Sequence, residues 1–279
     1  YNVRFGDPEC QCIIPRIKGR QQSRDPSDLV AEARALVATG TSEIVLVAQD
    51  LSHYGTDLPN RPDLANLVGR LVSEVSGLRW LRLMYLYPRD VPEPLIEILA
   101  SQGPCLPYLD IPVQHGSDRI LRRMRRGTRA ADLLRLVERL RARVPGVVLR
   151  TTYLVGHPGE GDAEFEELMA FAREAAFDLA GVFAFSPEPL SFAAGLPGQV
   201  SSVRKQERLR RLEELLTSIA ASRRQAMIGQ EHAAVIESRS GRGSAIGRLW
   251  FQAPEVDGGV RIAGPGLPSP GTFGKVQIC

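Results

Sequence analysis

Between Pro26 and Phe185 the chain alternates helical and extended patterns, and that alternation confines it to an α/β fold with a parallel sheet. Asp25-Pro26 opens LVAEARALVATG, apolar at helical spacing and stopped by Gly40. EIVLVAQ follows, a β-branched run ending at Gln49-Asp50 that reads as a buried strand. Trp80 to Tyr85, Tyr108 to Val113, Val147 to Val155 and Leu179 to Phe185 read as four more strands. The crossover segments LIEILAS, DRILRRMRR with ADLLRLVERLRARV, and AEFEELMAFAREAA read as helices. One further strand is expected before Cys10. The count favours an open six-stranded (β/α)6 partial TIM-like barrel over the doubly wound sheet that the same alternation allows.

The pattern breaks after Phe185. SPEPLSFAAGLPGQV is rich in Pro and Gly and reads as a loop. SSVRKQERLRRLEELLTSIAASRRQAMIG then reads as one long helix with a Ser cap and a Gly stop. From Gln230 onward HAAVIES, IGRLWFQ, GVRIAG and KVQIC alternate with turns, which predicts a small C-terminal β-barrel. The expected organisation is a barrel over residues 1–186, a linker over 187–201, a connecting helix over 202–228 and a β-domain over 229–279. That last domain is expected to be truncated at Cys279.

Composition excludes several classes. With 43% hydrophobic and 24% charged residues, the 279-residue chain is ordinary for a soluble protein. No apolar run approaches the roughly 18 residues that span a bilayer, and no basic-then-apolar leader opens the chain, so no membrane role is expected. Four scattered cysteines (Cys10, Cys12, Cys105, Cys279) do not make a disulfide framework and point to a reducing cytoplasm. A net charge of +3 permits a nucleic-acid partner without arguing for one.

Loops at the carboxyl ends of parallel strands carry ligands in α/β folds. In AQDLSHYGTDLP, Gln49 and Asp50 sit at a strand tip and can bond an amine or hydroxyl; capping the following turn is as good an account of each alone. In YLDIPVQHGSDRILRRMRRGT, Gln114, His115, Ser117 and Asp118 crowd a glycine turn, with Asp118 placed to cap the next helix. In LRTTYLVGHPGE, Arg150 lies inside a strand and needs an anionic partner if buried. The Gly156-to-Glu160 turn exposes backbone groups that can approach a flat ring. The basic run Arg119, Arg122, Arg123, Arg125, Arg126 and Arg129 reads first as a solvated helix face and second as a contact for nucleic-acid phosphates. Trp80 and Trp250 read as core, and Cys105 as an inert thiol.

CIIPRIKGRQQSR, from Cys12 to Arg24, resembles the exit from the cluster loop of radical S-adenosylmethionine (SAM) enzymes, where CxxxCxxC supplies three thiolates to a [4Fe-4S] cluster. Taken with AQDLSHYG, LRLMYLYP, LDIPVQHGSD and GRLWFQAPEVDG, the chain resembles the methylthiotransferase branch of that superfamily over roughly residues 13–185 and 209–260. These motifs look more like the branch that modifies an aspartate of a small-subunit ribosomal protein than the branch that modifies a transfer-RNA adenosine. The latter would show Gly-Gln-Asn at the first described loop and Ser in place of His115.

The resemblance implies a chemistry and a set of roles. A reduced cluster would cleave SAM to a 5′-deoxyadenosyl radical that takes hydrogen from the aspartate β-carbon, and methylated sulfur would then join that carbon. Cys12, with Cys10 nearby, would be the metal ligands. Gln49 and Asp50 would lie by the SAM amino-acid end, Gln114, His115 and Ser117 near the ribose, Arg150 near the carboxylate, and Val155 and Gly156 near adenine. A flavodoxin or ferredoxin would donate electrons, and a TRAM-like C-terminal domain would dock the ribosomal protein. The chain departs from the pattern where Phe5 and Glu9 occupy thiolate positions, and SPEPLSFAAGL replaces the usual acidic segment. A remnant that keeps only SAM or protein binding is therefore the competing reading.

Overall fold

The structure is a computed structural model that describes residue 17 and residues 19–88, 91–189, 191–241 and 243–279. One compact unit runs as far as Ile219 and a second from Ala220 to Cys279.

The first unit carries five parallel strands in the order β1-β2-β3-β4-β5: β1 Glu43–Leu46, β2 Trp80–Leu83, β3 Cys105–Asp110, β4 Val148–Val155 and β5 Leu179–Ala184. α1 Pro26–Ala38 precedes β1, and the crossovers contain α2 Leu64–Glu74, α3 Glu93–Ala100, α4 Asp118–Arg123, α5 Ala130–Arg143 and α6 Asp162–Ala175. Five of the six expected strands are thus present, and the one expected before Cys10 falls outside the described residues. Strand order equal to chain order is what repeated right-handed βαβ units give in a barrel-type sheet.

Local chemistry explains the element ends. Asp25 accepts a hydrogen bond from Ser27 N at 2.7 Å, with Pro26 opening α1. Asp118 begins α4 but caps α5, its Oδ1 accepting from Ala130 N at 2.8 Å. β3 starts earlier and ends earlier than the apolar run suggests. Pro112 has no N–H to give the ladder, so regular pairing stops at Asp110 and resumes as a single bridge between Gln114 and Tyr153. β1 is half-buried, not buried as expected, and Val47 beyond it is 63% exposed, because β1 is the outer strand of the described sheet.

Strand alternation sorts the side chains. Leu81, Leu83, Leu109, Leu149, Tyr153 and Val155 point into the core with the helices, where each buried aliphatic contributes about 1.5–3 kcal/mol. The opposite face carries a buried polar layer. Arg82 pairs with Glu43 at 3.1 Å and lies 4.7 Å over the Tyr108 ring, and Asp110 pairs with Arg150. Trp80 is buried as expected.

A short helical turn lies in the segment expected as a linker. Residues Phe192–Gly195 make a turn of 3-10 helix, and Gln199 Nε2 gathers the carbonyls of Ala193, Ala194 and Leu196. The long helix α7 spans Ser202–Met227.

The second unit is a four-stranded antiparallel sheet in the order β8-β7-β6-β9, from β6 Glu231–Arg239, β7 Ser244–Leu249, β8 Val260–Ala263 and β9 Phe273–Gln277. Among the described residues no β8–β9 pairing closes it into a barrel. Gly247 lets two strands approach, since a Cβ there would stand 2.3 Å from Val235 O.

Candidate functional site at the strand ends

Backbone bonds join the five strand tips into one rim. Leu51 N donates to Tyr85 O at 3.1 Å, Leu86 N to Asp110 O at 2.9 Å, Leu154 N to Gln114 O at 2.7 Å and Phe185 N to Val155 O at 2.8 Å. Two non-glycine residues on this rim, Tyr85 and Gln114, hold positive φ of 61° and 70°. Strain of about 1–3 kcal/mol each is kept where the surroundings over-determine it, commonly at functional sites.

Gln49 is exposed, and Asp50 is half-buried and turned to its own loop. Its carboxylate accepts from Ser52 N at 2.9 Å and pairs with His53 Nδ1 at 2.8 Å. Burial pushes the Asp50 carboxyl up, but these bonds outweigh it and the net shift is downward. The capping role weighed for Asp50 is the one the geometry displays.

Gln114 donates its own N–H to Thr152 O at 2.9 Å, so its positive φ is fixed from both sides by β4. His115 is fully buried, and both its ring nitrogens are engaged. Ser117 N donates to Nδ1 at 2.9 Å, which leaves the proton on Nε2, 3.1 Å from Glu160 Oε2. His115 therefore shapes the turn from inside. Ser117 Oγ is buried with no hydrogen-bond partner, although Ser117 stands at the head of α4.

Arg150 finds the anion its burial requires in Asp110, Nη1 to Oδ1 at 2.8 Å. Val155 is fully buried, and Gly156 takes φ 74°. Gly156 N donates to Glu160 Oε2 at 2.9 Å. A Cβ on Gly156 would lie 2.4 Å from Lys205 Cγ, so the lysine stem packs directly on this turn. His157 beside it is 2% exposed, its ring 5.4 Å from that of Phe185, and burial pulls its pKa down to about 4.

Three residues of this site escape a reading of the sequence. Glu160 has a fully buried carboxylate that takes His115 Nε2–H and Gly156 N–H on one oxygen and Arg208 Nη1 on the other at 2.8 Å. Arg208 also donates to Glu160 O and to Asp162 Oδ1. Lys205 Nζ donates to Phe185 O at 2.8 Å and lies 5.0 Å over the Phe185 ring. A signal existed only for Glu160: an acid closing a strand-end turn with no cation in its own loop must find one elsewhere.

Three members of the arginine run bond within the protein, while Arg119, Arg122 and Arg129 keep the exposure that a solvated face or a ribosomal RNA contact requires. Arg119 bonds Glu164 and Gly159 O, Arg123 bonds Pro158 O and Pro197 O, and Arg126 bonds Pro112 O and stacks over Tyr87. These guanidiniums staple loops together. Gly159 N–H adds a 2.7 Å bond to Gly198 O, so the segment after β5 is held against the Gly156-to-Glu160 turn.

A radical SAM superfamily model matches residues 10–172. The chain belongs to the radical SAM superfamily. A TRAM-domain model matches residues 228–279, the second unit's sheet. Among relatives of this radical SAM chain, the ribosomal protein uS12 methylthiotransferase RimO of Anaeromyxobacter sp. (strain Fw109-5) is 46% identical over 96% of this chain and 57% of its own length. The protein of the same name from Desulforudis audaxviator (strain MP104C) is 43% identical over 96% of this chain and 59% of its own. The chain thus spans somewhat under three-fifths of these relatives. Among solved structures, coproporphyrinogen III oxidase (HemN) from Escherichia coli matches with TM-score 0.53 and 15% identity over 74% of this chain and 54% of that one. TsrM from Kitasatospora setae matches with TM-score 0.50 and 17% identity over 94% and 42%. At such identities the structures show the fold alone.

The superfamily works with SAM and a [4Fe-4S] cluster. Cys10 and Cys12 lie outside the described residues, and their sequence context supplies two thiols, with Phe5 and Glu9 where two thiolates belong. Phenylalanine ligates nothing, and a carboxylate is a hard ligand for a sulfide cluster. Among the described residues no group of three His, Cys, Asp or Glu could hold a metal. In the sequence this loop offers two thiols where such a cluster takes three. The rim combines a positive-φ glycine turn with exposed amide and apolar side chains at Gln49, Val47 and Phe183.

Proposed function

We propose that this chain is the SAM-binding and substrate-docking part of a methylthiotransferase that adds a methylthio group to the β-carbon of an aspartate in ribosomal protein uS12. The observation that carries this reading is 40–46% identity to uS12 methylthiotransferases, running through both the barrel and the β-domain. A likeness limited to the barrel would support SAM chemistry without a substrate.

Within this reading the rim residues divide the work. Gln49 and Gln114 offer amides to the amino-acid and ribose ends of SAM, and the Val155–Gly156 backbone receives adenine. Arg150 and Asp110 hold the floor of the site together, and Arg150 lies near the SAM carboxylate. His115 and Ser117 keep the ribose-side turn in shape from within. When bound, SAM supplies the methyl group and the nucleoside radical precursor. The β-domain docks uS12, a flavodoxin or ferredoxin serves as electron donor, and the protein works in the cytoplasm. Among the described residues no helix is long and apolar enough to cross a membrane.

A second reading has one specific observation in its favour. Phe5 and Glu9 at thiolate positions describe a scaffold that binds SAM or uS12 without turning over. Anaerobic reconstitution with iron and sulfide, followed by EPR with and without SAM, separates the two. A [4Fe-4S]⁺ signal that changes on adding SAM, with methylthiolated uS12 detected by mass spectrometry, supports the enzyme. Iron at background with SAM binding retained supports the scaffold. Modification of a transfer-RNA anticodon stem-loop in place of uS12 would overturn both.

A further inference from the structure

Two cations on α7 reach three strand-end loops that are distant in sequence. Arg208 and Lys205 lie one turn apart on the helix. Arg208 is 3% exposed and clamps Glu160 by side chain and carbonyl. Glu160 in turn holds the Gly156 amide of the β4 loop and the His115 imidazole of the β3 loop. Lys205 fills the space beside Gly156 and bonds Phe185 O at the tip of β5. One carboxylate therefore carries the shape of two loops, and its second oxygen is spoken for by a helix outside the barrel's strand–helix repeat.

We infer that Arg208 is a positioning residue: by fixing the Glu160 carboxylate it holds the Gly156 and His115 turns in the shape that receives the nucleoside. The inference rests on the reading of this rim as the SAM site. Physically, a carboxylate with an anchored Oε1 has its Oε2 direction set, so the Gly156 N–H, in a left-handed conformation, has a fixed acceptor. Without the guanidinium the buried carboxylate is left uncompensated, and it must rotate toward water or take up a proton. Either movement releases the Gly156 amide and the His115 ring together, while the sheet core beneath makes no bond to Arg208.

The test uses the full chain without reconstitution and reads two quantities. Amide hydrogen exchange at Gly156 reports the turn, and calorimetric titration with SAM reports the site. Arg208→Met is expected to speed Gly156 exchange by about tenfold or more and to weaken SAM binding by a similar factor. Core amides such as Leu109 and Leu149 should move no more than in the control Arg210→Met, which removes an exposed helix cation paired only with Glu214. Arg208→Lys keeps the charge but cannot serve Glu160 Oε1, Glu160 O and Asp162 at once, and should give an intermediate effect of about threefold. That graded variant decides the matter if Arg208→Met does not fold. Gly156 exchange unchanged in both variants overturns the inference, as does equal acceleration of Gly156 and the core. Failure of the unmodified chain to bind SAM retires the SAM reading instead, and Gly156 exchange still decides whether Arg208 positions the turn.

Discussion

Arg150 on β4 and Asp110 on β3 face each other across paired register positions, with Nη1 2.8 Å from Oδ1 and the carboxylate fully buried. Asp110 Oδ2 also accepts from Tyr85 N at 3.3 Å, so this one side chain ties three strand ends together. Arg150→Met should destabilise the first unit by up to about 3–5 kcal/mol, since it takes a cation from a buried carboxylate. Adding Asp110→Asn should recover most of that loss. Urea unfolding read from Trp80 emission in a Trp250→Phe background measures both, and a full-sized loss in the double variant would contradict the pairing as the cause.

Tyr153 presents the opposite situation. Its ring meets Phe171 and Phe177 edge-on at 6.4 Å, while its hydroxyl is buried without a partner and its ionisation is pushed far upward by burial. Tyr153→Phe removes a desolvated hydroxyl and should leave stability unchanged or raise it by up to ~1 kcal/mol. Thermal melting of the two proteins checks this, and a loss above that size would reveal a bond the hydroxyl makes.

His157 gives the site a pH dependence of definite sign. Burial, aided by the nearby Arg123 charge and opposed by the Pro158 carbonyl, lowers its pKa from 6.5 to about 4. The unfolded chain then binds more protons than the folded one between these values. Stability is complete above pH 6.5 and falls as the pH drops toward 4, by roughly 2–4 kcal/mol for this one group. Denaturation midpoints between pH 4 and 7 should show that slope, and His157→Phe should flatten it.

Gly116 sits where the β3 loop meets α6. A Cβ there would stand 2.3 Å from Phe171 Cβ, an atom fixed by the helix backbone and unable to swing aside. Gly116→Ala should cost about 3 kcal/mol or more and shift the His115 turn. Chemical denaturation measures the first, and the His115 imidazole NMR resonance the second.

Much of the fold was legible because parallel strands and their crossover helices leave local marks. Gly40, Pro26 and Asp25 punctuate the first helix, and β4 was readable to within a residue from LRTTYLV. β3 was misplaced because Pro107 interrupts its start and Pro112 ends its ladder inside an apolar run. The site was legible as loops but not as contacts. Gln114, His115 and Gly156 stood out as polar or glycine residues at strand tips, and Arg150 announced a need for an anion. The identity of that anion was hidden, because Asp110 reads as the polar end of an apolar strand. In the basic run after Ser117 charge density shows in sequence, whereas the backbone carbonyls that engage Arg119, Arg123 and Arg126 do not.

By itself the sequence determined the order of elements, the parallel sheet, the positions of the strand-end loops and the thiols at Cys10 and Cys12. Tertiary structure alone decided which charges meet: Asp110 with Arg150 across forty residues, and Glu160 with Arg208 across forty-eight. Periodicity and turn chemistry act within a few residues and leave a local trace. A buried carboxylate is satisfied by whichever cation the packed fold brings to it, and that choice is made only when distant segments close on one another.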